Sequence, residues 1–287
     1  MKSIKEPIKA ADWYLVREIV GDIFWVNEPG HVSFYVFRSN NKGLMIDSGL
    51  GLTTKIGKGL LKFLGITELV VYCTHSHCDH IGLNHLAKKV IIGRREWEKY
   101  IEQNESDQLR HYYNLLKSEK EWPRGEIELH NTNLWSPSEF ISEGDRFEFG
   151  RWKFQTLEVP GHTCDSVIFY EEVNNLLFLG DLIYSGTLYF HFRDSNFSKY
   201  EKSLDKLLQF INSCQGNVSL WPAHNQIPLA PPFLKDVKEV ISAIKSRVIE
   251  PASSWPKDEM FEEGLRFSKN DVKIVLRKDE YANIRKD

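Results

Sequence analysis

Apolar residues in the first ninety positions come in short bursts separated by turn formers. "DIFWVNE" (22–28), "SFYVFRS" (33–39) and "GLMIDSG" (43–49) are rich in β-branched and aromatic residues, and they read as strands. The period then changes. Ile56, Leu60, Leu61 and Leu64 recur at helical spacing and predict a helix over about 53–64. "ELVVYCTH" (68–75) is a continuous apolar run of the kind found in a buried strand, and "KVIIGR" (89–94) reads as the next strand.

Residues 96–140 break this pattern. They are rich in Glu, Lys, Gln and Asn, and "WEKYIEQ" and "LRHYYNLLKSEKEW" have helical character, so the segment reads as an insertion, a lid or a helical flap, or else a solvated surface excursion. Strands return in "DRFEFGRWKFQTLEVPGH" (145–162), a hairpin turning at Gly150, and in "SVIFYEEVNNLLFLGD" (166–181), a hairpin turning at Asn174-Asn175. A helix is predicted from Ser198, which stands in capping-box spacing with Glu201. Its apolar stripe is Tyr200, Leu204, Leu207, Leu208 and Ile211. "NVSLWPAH" (217–224) is a further strand, "FLKDVKEVISAIKSRVIE" a periodic helix, and "GLRFSKNDVKIVLRK" a terminal hairpin. The order suggests two sheets packed face to face with helices outside. We expect a single domain over 1–287, with the insertion at about 96–140 and a C-terminal extension at about 251–287.

Composition narrows the function. A 41% hydrophobic and 27% charged chain of 287 residues is an ordinary globular protein. A net charge of -3 gives no basic excess for nucleic acid, and there is no Lys/Arg run for an anionic membrane. No apolar run approaches the roughly 20 residues of a bilayer span. "MKSIKEPIKAADWY" lacks a signal-peptide stretch, and the cysteines (Cys73, Cys78, Cys164, Cys214) form no CxxC pair or disulfide framework. The expected setting is the cytoplasm, with reduced thiols.

The chemistry is concentrated in "CTHSHCDHIG" (73–82), where His75, His77, Asp79 and His80 fall within six positions. His75 and His77, two apart at a strand end, share a face and can converge on one ion. Asp79 and His80, in the turn that follows, can serve a second ion. Three more predicted strands end in ligand types: His162 in "EVPGHT", Asp181 in "LFLGD" and His224 in "LWPAH". Cys78 and Cys164 are weaker candidates beside them. Two close cations pull the pKa of a shared water down toward about 7 and polarise an acyl or phosphoryl oxygen, so the reaction class is hydrolysis.

These residues carry a resemblance to the metallo-β-lactamase-fold hydrolases. The family motif T-H-x-H-x-D-H-x-x-G is matched from Thr74, with Gly82 one place early. Gly161-His162, Gly180-Asp181, His224 and "MIDSG" (45–49) match as well. The resemblance implies an α/β chain with an αββα four-layer sandwich and two divalent ions. Zinc is expected, although manganese or iron also suits nitrogen and oxygen donors. By the resemblance, His75, His77 and His162 hold metal 1, Asp79, His80 and His224 hold metal 2, and Asp181 bridges. Asp79 and Asp181 can also steer the nucleophile or accept a proton.

A β-lactamase is disfavoured, because that branch usually carries Cys or Ser at the position of Asp181. Tyr184, three residues after Asp181, resembles the Asp-x-x-Tyr of N-acyl-homoserine lactonases, whose phenol contacts the substrate carbonyl. "GDIFWVNE", "IDSGLGL", "GDLIYSGTLY" and "SNFSKYEKSLDKLLQF" are similar to acyl-coenzyme A thioesterases of this fold, which are close in pattern to glyoxalase II. The expected activity is hydrolysis of a thioester or ester by a metal-bridging hydroxide. A lactonase and a non-catalytic metal-binding protein are the alternatives. His31, Tyr184, His191 and Arg193 are candidate substrate contacts. The expected partner is a small-molecule acyl substrate, not nucleic acid or a membrane, and a homodimer is left open.

Overall fold

The computed structural model describes residues 6–94, 114, 135–257 and 261–284. The chain forms two compact units, Met1–Ile141 with Phe147–Lys153, and Ser142–Arg146 with Phe154–Asp287. The insertion expected at about 96–140 lies almost wholly outside the described residues, as do His111 and His130.

The first unit holds β1 (Ile8–Ala10), β2 (Tyr14–Val20), β3 (Ile23–Asn27), β4 (Ser33–Ser39), β5 (Lys42–Ile46), β6 (Glu68–Tyr72), β7 (Lys89–Gly93) and β8 (Glu139–Ile141), hydrogen-bonded in sequence order. Pairing is antiparallel from β1 to β5 and parallel from β5 to β8. The switch needs a crossover, and helix α1 (Thr54–Leu64) supplies it. Its ends are encoded locally. The Thr53 side chain accepts from the Ile56 amide, and Gly65 closes the helix at φ +69°, a left-handed conformation that glycine adopts without penalty. Leu60 and Leu64 are buried from the predicted stripe. Phe34, Phe37, Leu44, Ile46 and Val71 fill the core beside them.

β9 (Arg146–Phe149) leads into β10 (Trp152–Glu158) through the turn at Gly150, where φ is +58°, and the division between the units falls within both strands. β11 (Val167–Glu171) pairs antiparallel with both β10 and β12 (Leu176–Gly180), and β14 (Ser219–Pro222) pairs parallel with β12. Strands β10, β12 and β14 therefore run in one direction and end on one edge. Helices α2 (Phe197–Ser213) and α3 (Pro232–Lys245) bury Tyr200, Leu204, Leu207, Val237, Val240, Ile241 and Ile244 in one cluster with β11 and β12 residues. The cap of α2 is Asn196, whose side chain accepts from the Lys199 amide, and not Ser198. Asn196 has the extended backbone an N-cap requires, whereas Ser198 is already helical.

The element order predicted two sheets, and the described residues form three. "GTLYF", to which the sequence pattern assigned no element, is strand β13 (Gly186–Phe190). It pairs parallel with β17 (Val272–Arg277), which also pairs with β16 (Gly264–Lys269); β15 (Ser253–Trp255) completes the sheet, and α4 (Lys278–Asn283) follows. The partner of β13 lies more than eighty positions away, so local pattern did not reveal it. No described helix is long and apolar enough to cross a membrane.

Gly82 answers a packing demand. A Cβ there would stand 2.1 Å from the Leu50 carbonyl carbon and oxygen, and one on Gly51 would stand 2.2 Å from the Gly82 carbonyl carbon. Two backbones touch with no flexible side chain to yield. Gly82→Ala should therefore cost about 3 kcal/mol or more. Gly65→Ala, where φ is +69° but nothing lies within 4 Å, should cost only about 1 kcal/mol. Urea unfolding of both variants checks this, and equal losses would contradict the contact.

Candidate metal centre

The histidine cluster occupies a loop and not a strand end. β6 stops at Tyr72, and although the Cys73 amide still reaches the Ile91 carbonyl, the next residue is diverted. The Thr74 amide and hydroxyl donate to the two oxygens of the Asp47 carboxylate at 2.7 and 2.9 Å. His75 and His77 thus converge through the loop's path rather than by strand alternation. His75 Nε2 lies 3.1 Å from His77 Nδ1, and the His75 and His80 ring centroids are 4.1 Å apart. Ligand atoms of His75 and His80, and of Asp79 and His80, come within 4.8 Å of each other. His75, Asp79 and His80 are buried.

Asp47 also sets the state of His80. Its Oδ2 lies 2.9 Å from His80 Nδ1, and a carboxylate can only accept, so Nδ1 carries the proton. Nε2 is then the lone-pair nitrogen available to a metal, the arrangement typical of ligating histidines. Asp47 holds φ +61° and sits at the C-terminal end of β5, beside the parallel strand that leads to the cluster.

Three same-direction strands deliver the second unit's candidates. Asp181 directly follows β12, His224 is two residues past β14, and His162 is four past β10. One Asp181 oxygen lies 3.5 Å from His162 Nε2, and the other lies 3.1 Å from His224 Nε2. A carboxylate facing a different imidazole with each oxygen has the geometry of a bridging ligand. His162 Nδ1 donates to the Tyr189 carbonyl at 3.1 Å, so its Nε2 is the lone-pair nitrogen too. The Tyr184 ring packs edge-on against His224, with centroids 5.1 Å apart. In both units the donors are buried or nearly so and all nitrogen or oxygen, and His80 and His162 are oriented by outer partners, so they fit divalent cations of the zinc or manganese type.

The other candidates are placed as follows. His31 is buried, its ring 6.0 Å from that of Trp13. His191 is enclosed, stacked on Phe261 at 4.5 Å with Trp255 and Tyr189 around it. Arg193 is half exposed and pairs with Glu262 at 3.4 Å. Burial first, then the charge of Asp79, pushes the Cys78 thiol well up, away from the thiolate a metal would need. Cys164, Asp165 and Asp194 bring ligand atoms within 4.8 Å of one another, and Thr163 donates to Asp165. His85 is engaged by Thr54 and by the Gly82 carbonyl.

The metallo-beta-lactamase superfamily model matches residues 27–213. The chain belongs to that superfamily and has its fold, and it is a candidate metallohydrolase with buried His/Asp clusters. It is 24% identical over 218 residues to acyl-coenzyme A thioesterase MBLAC2 of Gallus gallus, covering 71% of this chain and 78% of the relative. It is 28% identical over 169 residues to a hydroxyacylglutathione hydrolase of Gloeothece citriformis, covering 57% and 53%. Among solved structures, a metallo-beta-lactamase family protein of Thermus thermophilus superposes with a TM-score of 0.57 at 17% identity, over 80% of this chain and 83% of the other.

Two residues with no assigned role in the sequence reading emerge here. Asp47 was visible only as part of "MIDSG". Glu28 ends "DIFWVNE" and is fully buried. Burial pushes its carboxyl from 4.5 to about 8; the Leu50 amide and Trp13 indole pull it down, Asp79 pushes it up, and the Gly51 amide pulls it down. The folded chain therefore holds one more proton than the unfolded chain between about pH 4.5 and 8. The contribution is fully present below the lower value and is lost as pH rises through the higher. In metal-free protein, the stability of the wild type relative to Glu28→Gln should fall as pH rises from about 5 to 8, by about 1.4 kcal/mol per pH unit at most. A difference that stays flat across that range in unfolding titrations would refute the shift.

Proposed function

We propose that the chain is a dinuclear metal-dependent hydrolase that cleaves the thioester of a small acyl compound. The observation that carries this reading is the Asp181 carboxylate, which turns one oxygen to His162 and the other to His224. On this reading His75, His77 and His162 would hold one ion, Asp79, His80 and His224 would hold the other, and Asp181 would serve both. Divalent ions bound there would supply a water of lowered pKa and polarise the acyl oxygen.

The protein's own residues do the rest. The Asp47 carboxylate and the Tyr189 carbonyl keep His80 and His162 in the Nδ1-protonated tautomer, so the ligand nitrogens need no reorganisation. Asp79 and Asp181 orient the attacking water and accept its proton. The Tyr184 hydroxyl, carried on a ring packed against His224, donates to the charge that develops on the acyl oxygen. That loop is held in turn, because Asn225 donates to the Ser185 carbonyl and the Gln226 amide donates to Ser185 Oγ.

Thioester substrates are favoured because relatives named for acyl-coenzyme A and for hydroxyacylglutathione both have a sulfur-bound acyl group in their names' chemistry. A lactonase is the second reading, supported by Tyr184 at the third position after Asp181 and by its packing on His224.

A panel of acyl-coenzyme A, acyl-glutathione and acyl-homoserine lactone, run with zinc- and manganese-loaded protein, separates the two. We expect kcat/KM to favour a thioester, whereas a tenfold or greater preference for the lactone would favour the second reading. Asp181→Ala should lower kcat by about 100-fold or more with the fold retained by circular dichroism. Full activity in that variant would remove the bridging role. A fully loaded wild type that turns over none of the panel would point to a metal-binding protein without catalysis.

A further inference from the structure

The segment 47–52 is gripped at both ends. At one end the Asp47 carboxylate holds Thr74 and His80. At the other end stands Glu28. The hairpin between β3 and β4 fixes its backbone, with the Glu28 amide donating to the Val32 carbonyl at 2.8 Å and the His31 amide donating to the Glu28 carbonyl at 2.9 Å. Its side chain turns inward, and Oε2 accepts from the Leu50 amide at 2.6 Å. Approach this close depends on Gly49, since a Cβ there would stand 2.9 Å from Oε2.

From that grip the contacts run on to the ligands. Leu50 and Gly51 lie backbone to backbone on Gly82. The Gly82 amide donates to the Gly49 carbonyl, and the Ser48 amide donates to the His80 carbonyl, each at 2.8 Å. The segment cannot slide without carrying His80 with it.

We propose that Glu28 is a positioning residue for the Asp79–His80 half of the metal centre, acting through the 47–52 segment. This rests on the reading of Asp79 and His80 as ligands of metal 2. A carboxyl buried only to fill space is a poor choice, because an apolar side chain of similar volume avoids the desolvation cost. What the carboxyl supplies, and a leucine or methionine does not, is an acceptor for backbone N–H groups at one fixed place.

Glu28→Ala and Glu28→Gln in the full chain test this. One readout is the His80 Nδ1–H resonance in metal-free protein. The other is the pair of successive zinc affinities, measured by competition with a chelator. In Glu28→Ala the resonance should be lost or broadened, and one of the two zinc equivalents should bind about 10-fold or more less tightly while the other changes little. Glu28→Gln should stay near wild type in both, because its amide oxygen still accepts from Leu50. A Glu28→Ala protein that melts earlier but keeps the resonance and both affinities overturns the proposal, for Glu28 would then be structural only. If that variant does not fold, Glu28→Asp takes its place, with the carboxyl drawn back by one methylene and a smaller effect expected in the same direction. A wild type that takes up no zinc defeats the metal reading, and the His80 resonance then decides the role of Glu28 by itself.

Discussion

The Asp47 carboxylate is the constraint on which the first unit's chemistry depends. It ends the run of β6 by capturing the Thr74 amide and hydroxyl, and it fixes the proton of His80 on Nδ1. Remove its two oxygens and the loop has no reason to leave the strand where it does. His80 would lose the partner that selects its tautomer. The residue itself stands at φ +61°, a costly conformation for a non-glycine, which a neighbouring network of hydrogen bonds maintains.

Strand direction organises both ligand sets. Asp47 and the cluster follow the adjacent parallel strands β5 and β6. In the second unit, His162, Asp181 and His224 follow β10, β12 and β14, which share one direction because β11 runs against both of its neighbours and β14 runs with β12. Within that unit, side chains far apart in sequence thereby reach one edge of the sheet, where rigid strands set the spacing. Carbonyl and carboxylate partners then aim the imidazoles. The tautomers of His80 and His162 are thus set by the scaffold itself.

Much of this was legible in the sequence, because its signals were local. The helix at 54–64 has its cap, stripe and terminal glycine within the thirteen residues 53–65, and the Gly150 and Asn174-Asn175 turns sit between their own strands. The spacing in "THSHCDH" marked candidate ligands, and His162, Asp181 and His224 lie just past the ends of their strands as the pattern suggested. What escaped was non-local. β13 was hidden because its partner β17 is distant, and the early Gly82 made sense only once Leu50 and Gly51 were found lying on it. Glu28 looked like one more acidic residue after a strand, and nothing in its neighbours shows that the Leu50 amide waits for it. Ser198 misled for the opposite reason: its capping-box spacing was real, but Asn196 two residues earlier had the extended backbone and took the role.

The proposed centre would hold two ions. Native mass spectrometry of the purified chain, with elemental analysis before and after loading with zinc or manganese, tests it most directly. The account predicts two ions per chain in the wild type at saturation. A chain that remains folded and saturates with one ion, or with none, would contradict it.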